Sequence, residues 1–400
     1  MATPPSISRV IIIVLDGVGC GALPDAPQYG DSGANTLGHI SHITPFLELP
    51  NLARWGIGHL TYMPTVSPIP LPHCIASFGR LRELSCGKDT TSGHWEMAGI
   101  VIEKPFNIFP QGFPQETIDA WVKENGLSGI LGNCAASGTE IIQRLGEEHI
   151  ATGKPILYTS ADSVWQIAAH EEIFGLDKLY EISKSARRFC DELQVARVIA
   201  RPFIGKARSD FKRTHHRKDF SQTPPQKTMM EFLIEAGYPT VGIGKIWNIF
   251  NGRGIQKSHE TEDNAHGMKT LLEALELYDR GLLFFNLIDF DMLYGHRRDV
   301  TGFAKALMEL DRFLPTLEEK LTPQDLVIVT ADHGNDPTFH GTDHTREHVP
   351  LLVYQKNIAA TPLGDRNSFS DIGQTTIHAL TGQSSCLQWG TSFLEELYAY

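Results

Sequence analysis

Short apolar runs separated by amphipathic stretches set the rhythm of this chain. Val10–Leu15, Thr240–Ile243, Leu282–Ile288, Asp325–Thr330 and Pro350–Val353 are short, largely apolar, and mostly β-branched or aromatic. They are continuous rather than alternating, which suits strands covered on both faces, as in a parallel or mostly parallel sheet. Between them, Lys227–Ala236, Met268–Tyr278 and Gly302–Glu319 repeat apolar residues at three- and four-residue spacing and predict helices. Thr301 is placed to cap the last of these. Alternating strand and helix predicts an α/β fold whose mostly parallel central sheet is flanked by helices.

The middle of the chain has a different texture. Strand signals at Pro155–Thr159 and Ala196–Ala200 and a helical stretch at Leu176–Leu193 lie between two loop signals. One is the turn-rich segment beginning Phe109-Pro-Gln-Gly, the other Thr223-Pro-Pro. The expected organisation is a core from residues 1–103 and 223–400, with a smaller α/β domain, 104–222, inserted as a cap. No internal repeat or low-complexity tract interrupts it.

Composition narrows the class. At 41% hydrophobic and 20% charged, the chain is globular rather than disordered. Its net charge of −12 argues against nucleic acid, whose phosphates call for Lys and Arg. The early run Val10–Leu15 falls far short of the ~18 apolar residues of a membrane span and is too short for a secretory signal. Six scattered cysteines with no C-x-x-C pair suit neither a disulfide framework nor a zinc ribbon, and the expected setting is a reducing cytoplasm. Oligomeric state is left open, a monomer being allowed.

The chemistry gathers at strand ends. In open α/β sheets ligands bind beyond the carboxyl ends of the strands. Val10–Leu15 ends at Asp16, and Leu282–Ile288 runs into Asp289-Phe-Asp291 with His296 beyond. Asp325–Thr330 runs into Asp332-His333, and His344 follows in the next loop. Asp and His together suit a divalent transition metal such as Zn or Mn. Asp16, Asp291, His296, Asp332, His333 and His344 are enough for two ions, which would clamp both oxygens of an in-line phosphoryl displacement. Asp289 is ambiguous, since it would share a side with Asp291 if the strand continued. His340, His348 and Asp336 read as solvated.

Gly87-Lys-Asp-Thr-Thr-Ser-Gly-His-Trp-Glu96 offers three adjacent hydroxyls for a covalent phosphoryl intermediate. Composition does not choose among Thr90, Thr91 and Ser92. Arg201 to Lys218 holds seven Lys/Arg and one acid, with Arg197 just before it. Most of these read as a solvated basic loop, but a sugar phosphate needs Arg for bidentate contact, and Arg197 is the better placed for a fixed role.

Taken together these motifs resemble the phosphopentomutase family of the alkaline phosphatase superfamily, over nearly the whole chain. The resemblance rests on Gly87-Lys-Asp-Thr, Gly93-His-Trp-Glu, Ala135-Ala-Ser-Gly-Thr-Glu-Ile and Tyr158-Thr-Ser-Ala-Asp-Ser-Val. It continues through Arg197-Val-Ile-Ala-Arg-Pro-Phe, Asp289-Phe-Asp, Thr330-Ala-Asp-His-Gly-Asn-Asp and Gly341-Thr-Asp-His-Thr-Arg-Glu. Small departures occur at Gly17 and Cys20, and at His215-His216 after Arg213. The resemblance implies an alkaline-phosphatase-like core and a phosphoryl group carried by Thr90. It further implies one Mn²⁺ on Asp16, Asp332 and His333 and a second on Asp291, His296 and His344. The implied substrate residues are Ser160, Asp162, Val164, Arg197, Ile199 and Arg213 in the cap and Lys245 in the core. The implied reaction interconverts (deoxy)ribose 1-phosphate and 5-phosphate through a pentose 1,5-bisphosphate, primed by a sugar bisphosphate such as glucose 1,6-bisphosphate. A phosphatase on the same core and a non-catalytic sugar-phosphate sensor are the competing expectations.

Overall fold

A computed structural model describes residues 6–160 and 163–399; Asp162 lies outside them. The chain forms two compact units. One takes the described residues up to Lys104 and those from Pro224 on, and the other is Pro105–Thr223. Two strands, β1 (Arg9–Leu15) and β2 (Ser77–Leu81), begin the first unit. The second unit holds β3 (Leu131–Ala135), β4 (Ile156–Thr159), β5 (Val164–His170), β6 (Arg197–Ile204), β7 (Lys212–Arg213) and β8 (Lys218–Ser221). The chain then returns with β9 (Thr240–Ile243), β10 (Lys257–His259), β11 (Gly281–Leu287), β12 (Asp325–Thr330), β13 (Val349–Gln355) and β14 (Pro362–Arg366).

The first unit is built on one sheet in the order β10-β9-β11-β1-β12-β13-β2-β14. All pairings are parallel except those of β13 with β12 and β2. Strand β1 sits between β11 and β12, and every one of its residues is buried. Burying each Val, Ile or Leu is worth about 1.5–3 kcal/mol, so sliding this strand out of register would cost several such terms. Leu15 pairs with Leu287 and Val14 with Thr330, so three carboxyl ends emerge side by side. This is the edge at which an α/β sheet presents ligands.

The predicted helices form with shifted starts. The last runs Val300–Lys320, and its cap is Asp299, not Thr301: the carboxylate accepts from Gly302 N–H at 2.9 Å. Three residues separate cap and donor, as N-capping requires, and Thr301 falls inside the first turn. Helix 264–277 is likewise capped by Asp263. Among the described residues no helix is long and apolar enough to cross a membrane.

The second unit has its own sheet, β3-β4-β5-β6-β7, with β8 also on β6. Strand β5 serves two cores by alternation. Trp165, Ile167 and Ala169 pack with Trp121, Leu179 and Ile182 on one face. Ala168 packs with Tyr158, Phe203 and Ile141 on the other. Gln166 and His170 interrupt its apolar residues, and it was not among the strands expected from the sequence.

Candidate active site

Asp16 follows β1 directly, and Gly17 turns the chain with φ of 80°. That turn lets Gly17 N–H donate to Asp332 Oδ1 at 3.1 Å while its carbonyl accepts from Asn335 N–H at 2.8 Å. The ends of β1 and β12 are thus tied through backbone groups. Asp291 sits one turn beyond β11, in a π-helical segment, Phe290–Gly295, that delivers His296 at its end. Asn335 Nδ2–H holds Asp291 Oδ1 at 2.7 Å.

The six expected ligands converge. Nε2 of His333 lies 3.3 Å from Asp16 Oδ1 and 3.4 Å from Asp332 Oδ2. Nε2 of His296 and of His344 each lie 3.2 Å from an Asp291 oxygen, and 3.1 Å from each other. Potential ligand atoms of Asp16, Asp332 and His333 fall within 4.8 Å of one another, and so do those of Asp291, His333 and His344. His333 therefore lies close to both groups, a proximity not legible in the sequence.

The donor set fits a divalent cation. Asp16 Oδ1 and Asp332 Oδ2 are buried with no hydrogen-bond partner among the described residues. The Nδ1–H of His296 donates to Thr342 O at 2.7 Å and that of His333 to Gly334 O at 3.1 Å, leaving each Nε2 facing the carboxylates. Metal-ligating histidines are oriented in this way. The electrostatics agree. Burial pushes the Asp16 carboxyl up, and Asp332 beside it adds to the rise. Burial would do the same to Asp291, but His344 and His296 hold it well below the usual carboxylate range. Burial alone would drive a proton off His333, yet Asp332, Asp16 and Asp291 raise it well above the ordinary imidazole value. A field that retains a proton on a buried imidazole is a field for a cation.

The three hydroxyls separate clearly. Helix 90–97 is capped by Asp89, whose Oδ1 accepts from Thr91 and Ser92 N–H and whose Oδ2 accepts from Ser92 Oγ at 2.7 Å. Thr91 and Ser92 are buried. Thr90, partly exposed at the first helical position, has Oγ1 3.3 Å from His333 Nε2. Gly93 permits this packing: a Cβ there would lie 1.9 Å from Asp332 O.

The segment leading to Thr90 is clamped from two sides. Buried Arg346 donates to the carbonyls of Ser85 and Gly87 at 2.8 and 2.6 Å and to Glu83 at 2.7 Å. Buried Glu96 accepts from the N–H groups of Leu84 and Ser85. Lys88 Nζ reaches Asp31 at 2.9 Å, Asp343 at 3.0 Å and the His344 carbonyl at 2.6 Å. These residues carried no assignment in the sequence, although several lie in its motifs. Asn286 had a usable signal: it is a polar residue inside a buried apolar strand, which requires a partner.

Several expectations change. Asp336 is fully buried, bound to His39 Nδ1 at 2.6 Å and to Asn35 N–H at 3.0 Å, and His348 is buried against Gly21 O. Only His340 is exposed as expected. Asp289 turns aside to accept from Asn264 N–H at 2.8 Å, because β11 ends at Leu287 and two-residue spacing no longer keeps side chains together.

In the second unit, Ser160 follows β4, and Val164 pairs in register with Arg197. Ile199 lies two residues on, on the same face as Arg197. Arg213 pairs with Phe203, six residues from Arg197, and so joins that face. Lys245 belongs to the first unit, with Nζ 3.8 Å from Met292 Sδ.

A family model described as the metalloenzyme superfamily matches residues 8–383. A phosphopentomutase of Anaeromyxobacter sp. (strain K) is 53% identical over 389 residues, 97% of this chain and 99% of that protein. One from Symbiobacterium thermophilum is 48% identical over 394 residues, 98% and 99% of the two chains. In structure the chain resembles the PH0037 protein of Pyrococcus horikoshii, with a TM-score of 0.51 at 13% identity, covering 95% of this chain and 99% of the other.

Proposed function

This chain belongs to the phosphopentomutase family of the metalloenzyme superfamily and is an isomerase, and from that premise we propose a mechanism through phosphorylated Thr90. The observation that carries it is Thr90 Oγ1, 3.3 Å from His333 Nε2, beside the cluster of Asp16, Asp332, His333, Asp291 and His344. The phosphoryl group on Thr90 Oγ1 passes to the free hydroxyl of ribose or deoxyribose 1- or 5-phosphate. This regenerates the threonine hydroxyl and yields the pentose 1,5-bisphosphate. The bisphosphate turns, and its other phosphoryl group returns to Thr90, releasing the isomeric monophosphate. A sugar bisphosphate such as glucose 1,6-bisphosphate primes the threonine.

Asp16, Asp332 and His333 would hold one Mn²⁺, and Asp291, His296 and His344 the other. When bound, these ions supply charge neutralisation for the phosphoryl oxygens and lower the pKa of the threonine hydroxyl. The protein's own contribution is positioning. Asp89 fixes the start of the nucleophile helix, and Arg346 and Glu96 hold the strap before it. Ser160, Asp162, Val164, Arg197, Ile199 and Arg213, with Lys245, are assigned to the sugar and its second phosphate, the arginines as bidentate partners. Six free cysteines accord with a cytoplasmic setting.

The test is a coupled ribose 1-phosphate isomerisation assay with Mn²⁺, with and without glucose 1,6-bisphosphate, in which phosphate release is also followed. Thr90→Ala is expected to abolish both turnover and acid-stable phosphate labelling. Labelling that persists at Thr91 or Ser92 would refute the assignment, and phosphate release exceeding isomerisation would identify a phosphatase.

A further inference from the structure

His94 lies in the motif Gly93-His-Trp-Glu, has no exposed surface, and takes no part in the chemistry described above. It is the fourth residue after Thr90 on the same helix, so its ring lies one turn along, behind the nucleophile. Nδ1 is 2.9 Å from the Thr90 carbonyl and 3.1 Å from Asp332 Oδ2. Both neighbours are acceptors, so Nδ1 carries the hydrogen. On the far side, Asn286 Nδ2 lies 3.1 Å from Asp16 Oδ2 and 3.2 Å from His94 Nε2. The carboxylate requires a donor, which fixes the amide orientation, and the amide N–H then meets His94 Nε2 as acceptor. The tautomer follows from the network.

The resulting chain runs Asp16–Asn286–His94 and divides at Nδ1 toward Thr90 and Asp332. It is buried throughout: Asp16 is 4% exposed, Asn286 1%, and His94 and Asp332 0%. It joins two carboxylates of one metal set to the backbone of the nucleophile. Asp332 Oδ2 lies 3.1 Å from Nδ1, which already donates to the Thr90 carbonyl, so the ring supports this oxygen while leaving lone pairs for a cation. We propose that His94 is a positioning residue that sets the distance between the Thr90 hydroxyl and the Asp16/Asp332/His333 metal set. The two ring nitrogens are unequal in this role. Nδ1 touches the backbone carbonyl of Thr90 and the Asp332 carboxylate, whereas Nε2 touches Asn286, which Asp16 also holds.

This inference rests on the proposed metal and phosphothreonine reading, and two variants of the full-length protein test it separately. In His94→Asn the amide can occupy the Nδ1 position, and in His94→Gln it occupies the Nε2 position. Mn²⁺ affinity is read from the electron paramagnetic resonance signal of free Mn²⁺. Phosphorylation of Thr90 by glucose 1,6-bisphosphate is followed by intact mass, and melting temperature is recorded for each protein. His94→Asn is expected to keep Mn²⁺ affinity within about threefold of the parent, and His94→Gln to lose about tenfold or more, as for other residues that orient metal ligands. The initial rate of Thr90 phosphorylation is expected to follow the same order, with the two variants melting alike. Equal behaviour of the variants, the reverse order, or losses that simply track melting temperature would overturn the role of His94. A parent protein that binds no Mn²⁺ or takes no phosphate at Thr90 would instead overturn the reading on which it rests.

Discussion

Two histidines with similar burial show how far a residue's neighbours, rather than its type, set its chemistry. His333 faces three carboxylates and is held well above the ordinary imidazole value, although burial opposes this. His149, in the second unit, is hydrogen-bonded to backbone groups: burial lowers its pKa from the usual 6.5, with His170 adding to the effect. Its Nδ1–H donates to Lys154 O at 2.7 Å, and its Nε2 accepts from His170 N–H at 2.8 Å. A proton on Nε2 would break the second bond. The unfolded chain takes up that proton near pH 6.5, and the folded chain only at lower pH. The stabilising contribution is therefore complete above about 6.5 and is lost as pH falls toward the folded value. The melting temperature of the parent is expected to fall between pH 7.5 and 5.5 more steeply than that of His149→Gln. Parallel profiles would show that His149 titrates alike in both states.

At the level of elements, the site depends on how closely helix 90–97 approaches the end of β12. Gly93 faces the Asp332 carbonyl with no room for a methyl group, since an added Cβ would stand 1.9 Å from that oxygen. In Gly93→Ala the helix must retreat, taking Thr90 and His94 with it. Misplacing a reacting group by about 1 Å costs on the order of 100-fold in rate, and a loss of that size in kcat is expected, with substrate KM changing far less. A variant with parental kcat would show that the helix can shift without moving Thr90. Other elements are set by equally local chemistry. Asp299 and Asp263 decide where helices 300–320 and 264–277 begin, by accepting from N–H groups three residues on. Strand β11 stops before Asp289, which sends that carboxylate to Asn264 and leaves Asp291 alone to face His296 and His344.

For the whole molecule, the net charge of −12 has a partner in the proposed metal centre. Asp16, Asp291 and Asp332 are buried within one cluster, and two divalent ions would offset their repulsion. Each site filled by Mn²⁺ at about 100 times its Kd is expected to stabilise the fold by about 2.7 kcal/mol, visible as a rise in melting temperature that a chelator reverses. A melting temperature indifferent to both would count against the ligand sets. The strands β1, β9 and β12 were legible in the sequence because their burial on both faces is met by short runs that are largely apolar. Their terminal carboxylates were legible because a polar residue ends such a run. Strands β5 and β2 were not, since Gln166 breaks the apolar run of one and Gly79 and Arg80 that of the other, and both draw their stability from neighbours that the sequence does not identify. By itself, then, the sequence determined the α/β class, the strand ends that carry Asp16, Asp291 and Asp332, and the family motifs. Only the tertiary structure decided that Thr90 and not Ser92 faces His333, that His333 lies near both ligand groups, and that Asp336 is buried. Those are distances between residues far apart in the chain, and only the packing of helix 90–97 and the loops after β11 and β12 sets them.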